Sequence, residues 1–293
     1  MSSRVSASRV ARRVLPVPSA PIAPAHPIIK WVGGKTKLLP ELLSRMPERF
    51  NRYYEPFAGG LALFFRVAPE SSVISDANAD LIALYTAVRR DVASVVKRLQ
   101  AHRAAHDERH YYATRERWNQ LHESMSDAER AATFIYLNKT CFNGLWRVNR
   151  SGDFNVPIGR YSDPPICVPD ALHNAQRLLA RAELRQGDYR EAVADAGKGD
   201  FVYFDPPYDP INATSNFTSY AVDGFGRDNQ EQLADTARML VNRGAKVMLS
   251  NNDTPFVRSI YKGFKISTVK CSRAINSNAA KRGEVDEIIA VGG

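Results

Sequence analysis

The chain has 293 residues, with 40 Lys and Arg against 31 Asp and Glu, and a formal net charge of +9. With 44% hydrophobic residues it can bury a core, which excludes wholesale disorder, and its length suits one or two domains at roughly 150 residues each. No apolar run approaches the ~18–20 residues of a membrane span, and the widely spaced Cys141, Cys167 and Cys271 form neither a disulfide framework nor a paired metal pattern. A reducing compartment and no membrane partner are expected, and the positive charge is compatible with a phosphate-rich partner.

Residues 1–27 carry Arg4, Arg9, Arg12 and Arg13, no acidic residue, and prolines at Pro16, Pro18, Pro21, Pro24 and Pro27. They read as a disordered basic tail rather than an organelle leader, because the prolines break any amphipathic helix. From Ile28 the pattern becomes regular. A short helix is expected over Thr36–Arg45, and short buried strands over Tyr53–Phe57 and Val73–Ser75. A long helix over Ala79–Leu99 has Leu81, Leu84, Tyr85, Val88, Val92, Val95, Val96 and Leu99 on one face. Glu108–Glu123 and Ala128–Leu137 continue the helical pattern, and Asn143–Tyr161 reads as hairpins and loops. After a helix over Val168–Arg181 and a strand over Glu183–Gln186, the strands Asp200–Phe204, Lys246–Ser250, Phe264–Lys270 and Val285–Val291 alternate with helices such as Asn229–Asn242. This order predicts an α/β sheet, Rossmann-like, interrupted by a helical and hairpin insertion.

The sharpest chemical signal is Asp205-Pro206-Pro207-Tyr208, placed directly after the apolar run Phe201-Val202-Tyr203-Phe204. Ligands in open α/β sheets bind at the carboxyl ends of strands, where this tetrapeptide must lie. Neither proline nitrogen can donate a hydrogen bond. What remains is a cluster of acceptors, the Asp205 carboxylate and the Asp205 and Pro206 carbonyls, beside one aromatic ring, and this suits an exocyclic amine. A Pro-rich turn is the bland alternative. A second signal, Glu55-Pro56-Phe57-Ala58-Gly59-Gly60, also follows a strand, and its glycines permit close backbone approach to a ligand. Asp76 ends the next strand, where a carboxylate grips ribose hydroxyls in nucleotide-binding folds, although it also suits a helix cap. The third, Lys30-Trp31-Val32-Gly33-Gly34-Lys35-Thr36, ends like a phosphate loop, but that motif requires glycine where this chain has Ile29.

These segments, in this order, resemble the DNA adenine-N6 methyltransferases of the Dam family. So do Leu137-Asn138-Lys139 through Asn143-Gly144-Leu145-Trp146-Arg147 with Phe154-Asn155-Val156-Pro157, and Asn212-Ala213-Thr214-Ser215-Asn216-Phe217. The resemblance spans nearly everything from Ile28 to Val291. It implies S-adenosylmethionine as methyl donor, bound near Trp31, Lys35, Phe57, Gly59, Gly60, Asp76, Asp188 and Tyr189. It implies Asp205, Pro206, Pro207 and Tyr208 as the catalytic motif, acting on adenine flipped out of double-stranded DNA. Residues 28–78 and 168–293 would form the catalytic domain, and residues 79–167 the target-recognition domain. Lys30, Phe142, Asn143, Leu145, Arg147, Pro157 and Tyr161 would contact DNA, with Phe142 as an aromatic wedge and Lys30 and Arg147 on outer guanines. Phe217 and Tyr220 would form a lid, and Arg273, Asn276, Asn278, Lys281 and Arg282 a phosphate clamp. A short palindromic site opening with G and closing with C is implied, GATC or a longer variant.

The expected protein is a monomer or homodimer in the cytoplasm of a bacterium, or phage-encoded, near the nucleoid. The rivals are methylation of another amine, such as cytosine N4 or RNA adenine, and a DNA-binding regulator without catalysis. A glutamine-directed enzyme usually has Asn where this chain has Asp205. No metal is expected: His102, His106 and His110, set among Arg103, Asp107, Glu108 and Arg109, read as a solvated helix face. Tyr111 and Tyr112 read as core or interface aromatics, and Cys141 as an unreactive thiol.

Overall fold

The computed structural model describes residues 22–210, 225–272 and 284–293. The strands are β1 (Tyr53–Glu55), β2 (Ser72–Asp76), β3 (Ala182–Gln186), β4 (Phe201–Phe204), β5 (Lys246–Asn252), β6 (Lys265–Ser272) and β7 (Glu284–Gly292). They form one seven-stranded sheet in the order β3-β2-β1-β4-β5-β7-β6. The first five are parallel, and β7 inserts antiparallel between β5 and β6. The order runs outward from β1 in one direction through β2 and β3, and in the other through β4 and β5. A crevice at this switch point is where open α/β sheets bind ligands.

The helices are α1 (Leu39–Leu43), α2 (Ala62–Val67), α3 (Ala79–Ala104), α4 (Glu108–Leu121), α5 (Asp127–Thr140), α6 (Pro169–Leu179), α7 (Tyr189–Ala192), α8 (Arg227–Asn242) and α9 (Pro255–Ile260). The central strands are apolar on both faces because helices cover both. Tyr53, Ile74, Phe201, Tyr203, Met248 and Ile289 pack toward α3 and α6. Tyr54, Val73, Val202, Phe204, Val247, Leu249 and Ile288 pack toward α8 and α9. The helix expected at Thr36–Arg45 is a 3-10 turn over Lys35–Leu38 followed by α1, with Pro40 in the first turn of the α-helix.

Long α3 packs against β2, β3 and α6 as well as against α5. Arg89 on α3 donates to the Ala182 carbonyl at the start of β3 (2.9 Å), and Asp80 pairs with Arg130 on α5 (2.5 Å). Thus the first helix of the expected insertion also covers the sheet, and α4, α5 and the loops of 141–167 build outward from it. Trp146 is buried in an aromatic core, stacked on Phe134 at 3.7 Å and Phe154 at 4.4 Å, while Arg147 next to it is exposed.

Residues 22–27, expected to belong to a tail, pack on the domain instead. Ala25 is buried and donates its amide to the Phe65 carbonyl at 2.8 Å. Pro24 and Pro27 bring no amide proton that needs a partner there. Among the described residues no helix is long and apolar enough to cross a membrane.

Candidate active site

The two loops that matter leave the carboxyl ends of adjacent strands. Tyr53 pairs with Phe201 and Tyr54 with Val202, which sets Glu55 of β1 alongside Tyr203 of β4, just before Asp205. Phe204 pairs with Leu249, so Ser250 of β5 lies beside Asp205 on the other side.

Asp205 accepts two hydrogen bonds on one oxygen. Lys35 Nζ reaches Oδ1 at 2.9 Å, and Ser250 Oγ donates to the same atom at 2.8 Å. Both the lysine and the aspartate are largely buried, at 8% and 19% side-chain exposure, so the pair is shielded from water and salt. Lys35 Nζ also donates to the Gly33 carbonyl and sits 4.6 Å from the centre of the Tyr208 ring. Tyr208 donates its hydroxyl to Glu287 on β7 at 3.1 Å, and Gln230 of α8 donates to the Pro207 carbonyl at 2.7 Å. Asp209 is buried in a net made by Asn251, Asn252 and Thr254. The Asp205–Tyr208 tetrapeptide is thereby tied to β5, β7 and α8.

Glu55 lies buried next to this group. Tyr53 donates to its Oε2 at 2.6 Å. Burial dominates and raises the Glu55 carboxyl to about 8, aided by the nearby Asp205 charge. Burial likewise holds the Tyr53, Tyr203 and Tyr208 phenols far above their ordinary value, so they remain neutral donors.

The loop of Glu55–Gly60 is fastened to β2. Gly59 and Asn78 donate their amides to the two oxygens of Asp76, at 3.0 and 2.9 Å, and Tyr85 donates to the Gly59 carbonyl at 2.6 Å. Asn78, rather than Asp76, caps α3. Gly59 has φ +45°, and a Cβ there would lie 2.8 Å from the Trp31 ring, so only glycine fits under the indole. Phe57, Tyr189 and Phe225 form an aromatic wall, with Phe57 stacked on Tyr189 at 5.3 Å. Asp188 caps α7 and is bonded by the Arg190 guanidinium at 2.9 Å, which lowers its carboxyl. Trp31, Phe57, Gly59, Gly60, Asp76, Asp188 and Tyr189 thus line the carboxyl edge of β1, β2 and β3, whereas Lys35 points to Asp205.

The backbone at Lys30 and the turn at Gly144 meet around Asn138. Its carboxamide accepts from Lys30 N (2.8 Å) and donates to the Lys30 and Gly144 carbonyls (2.8 and 3.2 Å). Lys30 Nζ lies 4.8 Å from the centre of the Tyr161 ring. Phe142 is 51% exposed at the tip, followed by Asn143 at φ +56°. The Pro157 carbonyl accepts the Phe142 amide at 2.9 Å, and Arg147 Nε donates to Asn155 at 2.8 Å, while Leu145 is half-buried against the core.

Residues 31–275 match the family model of D12 class N6 adenine-specific DNA methyltransferases. The chain belongs to that family. It is accordingly an adenine-specific DNA methyltransferase, acting on DNA with a methyl donor. It is 39% identical over 268 residues to the Type II methyltransferase M1.LlaDCHI of Lactococcus lactis subsp. cremoris, covering 90% of this chain and 94% of the relative. It is 39% identical over 273 residues to the Type II methyltransferase M.MjaIII of Methanocaldococcus jannaschii, covering 87% and 94%. It is 36% identical over 268 residues to the DNA adenine methylase of Escherichia coli K12, covering 90% and 94%.

Several residues that contact the Asp205–Asp209 segment lie outside every motif of this methyltransferase. Ser250, Asn251 and Asn252 form a polar run closing an apolar strand, and Glu287 is an acid inside the apolar β7. Both were visible as anomalies. The three histidines do not form a solvated helix face. His102 Nδ1 lies 3.0 Å from His110 Nε2, and His102 stacks on Tyr136 at 4.5 Å. His106 is 3.0 Å from the Tyr136 hydroxyl. They form a half-buried cluster because α3 ends at Ala104 and the chain turns before α4, folding His110 back onto His102. Among the described residues no group of His, Cys, Asp and Glu is arranged to hold a metal. Tyr111 is fully buried, and burial pushes the Cys141 thiol up to about 12. Asn212–Phe217, Tyr220 and the polar loop of Arg273, Asn276, Asn278, Lys281 and Arg282 lie outside the described residues.

Proposed function

We propose that this enzyme transfers a methyl group from S-adenosylmethionine to N6 of an adenine flipped out of a short palindromic duplex site, GATC or a longer G…C variant. The observation that carries the reading is the acceptor cluster of Asp205 and Pro206 at the end of β4, next to the Gly59–Asp76 loop at the ends of β1 and β2. The residues there fit the donor. The carboxylate of Asp76 retains lone pairs for ribose hydroxyls beyond the two amides it accepts, the Phe57–Tyr189 wall suits a purine, and Gly59 allows close approach under Trp31. When bound, S-adenosylmethionine supplies an electrophilic sulfonium methyl.

The protein's own part is positioning and electrostatics. The amine of adenine is a weak nucleophile because its lone pair is delocalised into the ring. Asp205 and the Pro206 carbonyl accept its two hydrogens and localise that lone pair, while Tyr208 offers a stacking face. The adenine cannot be reached inside a duplex, so it must leave the stack, with exposed Phe142 entering as a wedge. Lys30 and Arg147 would read outer guanines, since an arginine fork fits guanine O6 and N7, Leu145 and Pro157 would pack on a thymine methyl, and Tyr161 would contact the DNA. Residues 79–167 then serve as the recognition unit. Mass spectrometry of treated DNA, with digestion by methylation-sensitive nucleases, tests the reading. N6-methyladenine in a G…C palindrome supports it, and N4-methylcytosine alone overturns it.

A further inference from the structure

We propose that Ser250, backed by Tyr203, is a positioning residue that sets the rotation of the Asp205 carboxylate for methyl transfer. This rests on the reading of Asp205 as the acceptor of the target amine. Three observations carry it.

The first is proton counting. Ser250 has one hydroxyl proton, and its 2.8 Å bond to Asp205 Oδ1 uses it, because a carboxylate only accepts. The 3.0 Å contact between Tyr203 OH and Ser250 Oγ must therefore run from tyrosine to serine. The result is a one-way chain of two hydroxyls, Tyr203 to Ser250 to Asp205.

The second is rigidity. Tyr203 and Ser250 are 1% and 0% exposed and sit on the paired central strands β4 and β5. Tyr203 lies in β4, two residues before Asp205, which directly follows the strand. Lys35, the other donor to Oδ1, is held by a flexible four-carbon stem and also lies against the Tyr208 ring. Ser250 is the donor whose place the sheet fixes.

The third is the free oxygen. Both donors converge on Oδ1, and no donor among the described residues reaches Oδ2. A carboxylate with one oxygen saturated presents the other in a single orientation. The adenine amine then meets one acceptor direction instead of a rotor. Without the serine hydroxyl, Asp205 would still bear its charge but would sample rotations that point neither oxygen at the amine.

The test uses the full-length protein in single-turnover methylation on a cognate duplex, with donor and DNA affinities measured separately. Ser250→Ala should slow the methyl-transfer rate by about 10–100-fold, the scale expected when a reacting group loses its alignment. Donor and DNA dissociation constants should stay within about twofold. Ser250→Thr, which keeps the hydroxyl, should restore most of the rate. Tyr203→Phe should slow it less, and the double variant Ser250→Ala/Tyr203→Phe should be no slower than Ser250→Ala, because the chain passes through the serine. A wild-type rate for Ser250→Ala, or a loss that Thr fails to restore, overturns the proposal and leaves the adenine reading standing. A wild-type protein that forms no N6-methyladenine overturns both.

Discussion

The Asn138 side chain binds both backbone groups of Lys30, its amide and its carbonyl, and reaches the Gly144 carbonyl as well. One buried carboxamide thus joins the segment that leads to Trp31 and Lys35 to the tip that carries Phe142 and Asn143. Asn138→Ala should leave these groups without partners and lower stability by ~1–3 kcal/mol. It should also blunt discrimination between cognate and near-cognate sites, while donor affinity changes little. Thermal melts and methylation of a panel of duplexes measure the two effects. Unchanged site selection would contradict the coupling.

Asp205→Ala should abolish methyl transfer and leave DNA affinity largely intact, because in the proposed mechanism the carboxylate serves the reacting amine rather than the duplex. Gel-shift titration beside a radiolabelled methyl assay separates the two. Lost binding with residual turnover would contradict the assigned role.

Arg147 is exposed, and its Nε is occupied by Asn155, which leaves the terminal nitrogens of the fork free of that bond. Arg147→Ala should relax selection at one outer base pair by roughly 1–3 kcal/mol instead of weakening all sequences alike. Competition between site variants at fixed salt reads this directly.

Glu55 gives a pH dependence of known sign. Its carboxyl is raised in the folded chain from an ordinary 4.5 to about 8. An acid raised on folding contributes stability that is full below the lower value and is lost as pH climbs to the upper one. Glu55→Gln should therefore gain stability relative to the wild type as pH rises from about 5 to about 8. Parallel melting curves of the two proteins would show a flat difference if the carboxyl is not held protonated.

His102 predicts the opposite slope. Burial, with His110 beside it, lowers its imidazole from 6.5 to about 4. The unfolded chain takes up a proton that the folded chain refuses, so stability falls as pH drops from about 6.5 toward 4. His102→Phe keeps a ring on Tyr136 and should flatten that fall, as read by melts between pH 7 and 5.

Much of this architecture is legible in the amino-acid order. The apolar runs at Val73–Ser75 and Phe201–Phe204 mark buried strands, and the acceptor cluster after Phe204 marks a site because a parallel sheet puts such a loop at its ligand-binding edge. What stays hidden is contact across long sequence gaps. Nothing local to Tyr208 points to Glu287, which arrives only because β7 runs antiparallel beside β5. The resemblance puts Lys35 near the methyl donor, and nothing in its own segment announces that its ammonium pairs with Asp205. The histidines mislead because their spacing imitates a continuous helix where the chain in fact turns.

The position of β1 has a kinetic consequence. Its residue Tyr53 pairs with Phe201 of β4, 148 residues further along, and β7, which contacts Tyr208, comes later still. Such pairings close long loops before they return any contact energy, which slows folding. Until β7 arrives, β5 is a bare apolar edge open to pairing with other chains. Assembly of the acceptor pocket is thus expected to be among the last events as the polypeptide folds, after α3, α5 and α6 have packed around their local core.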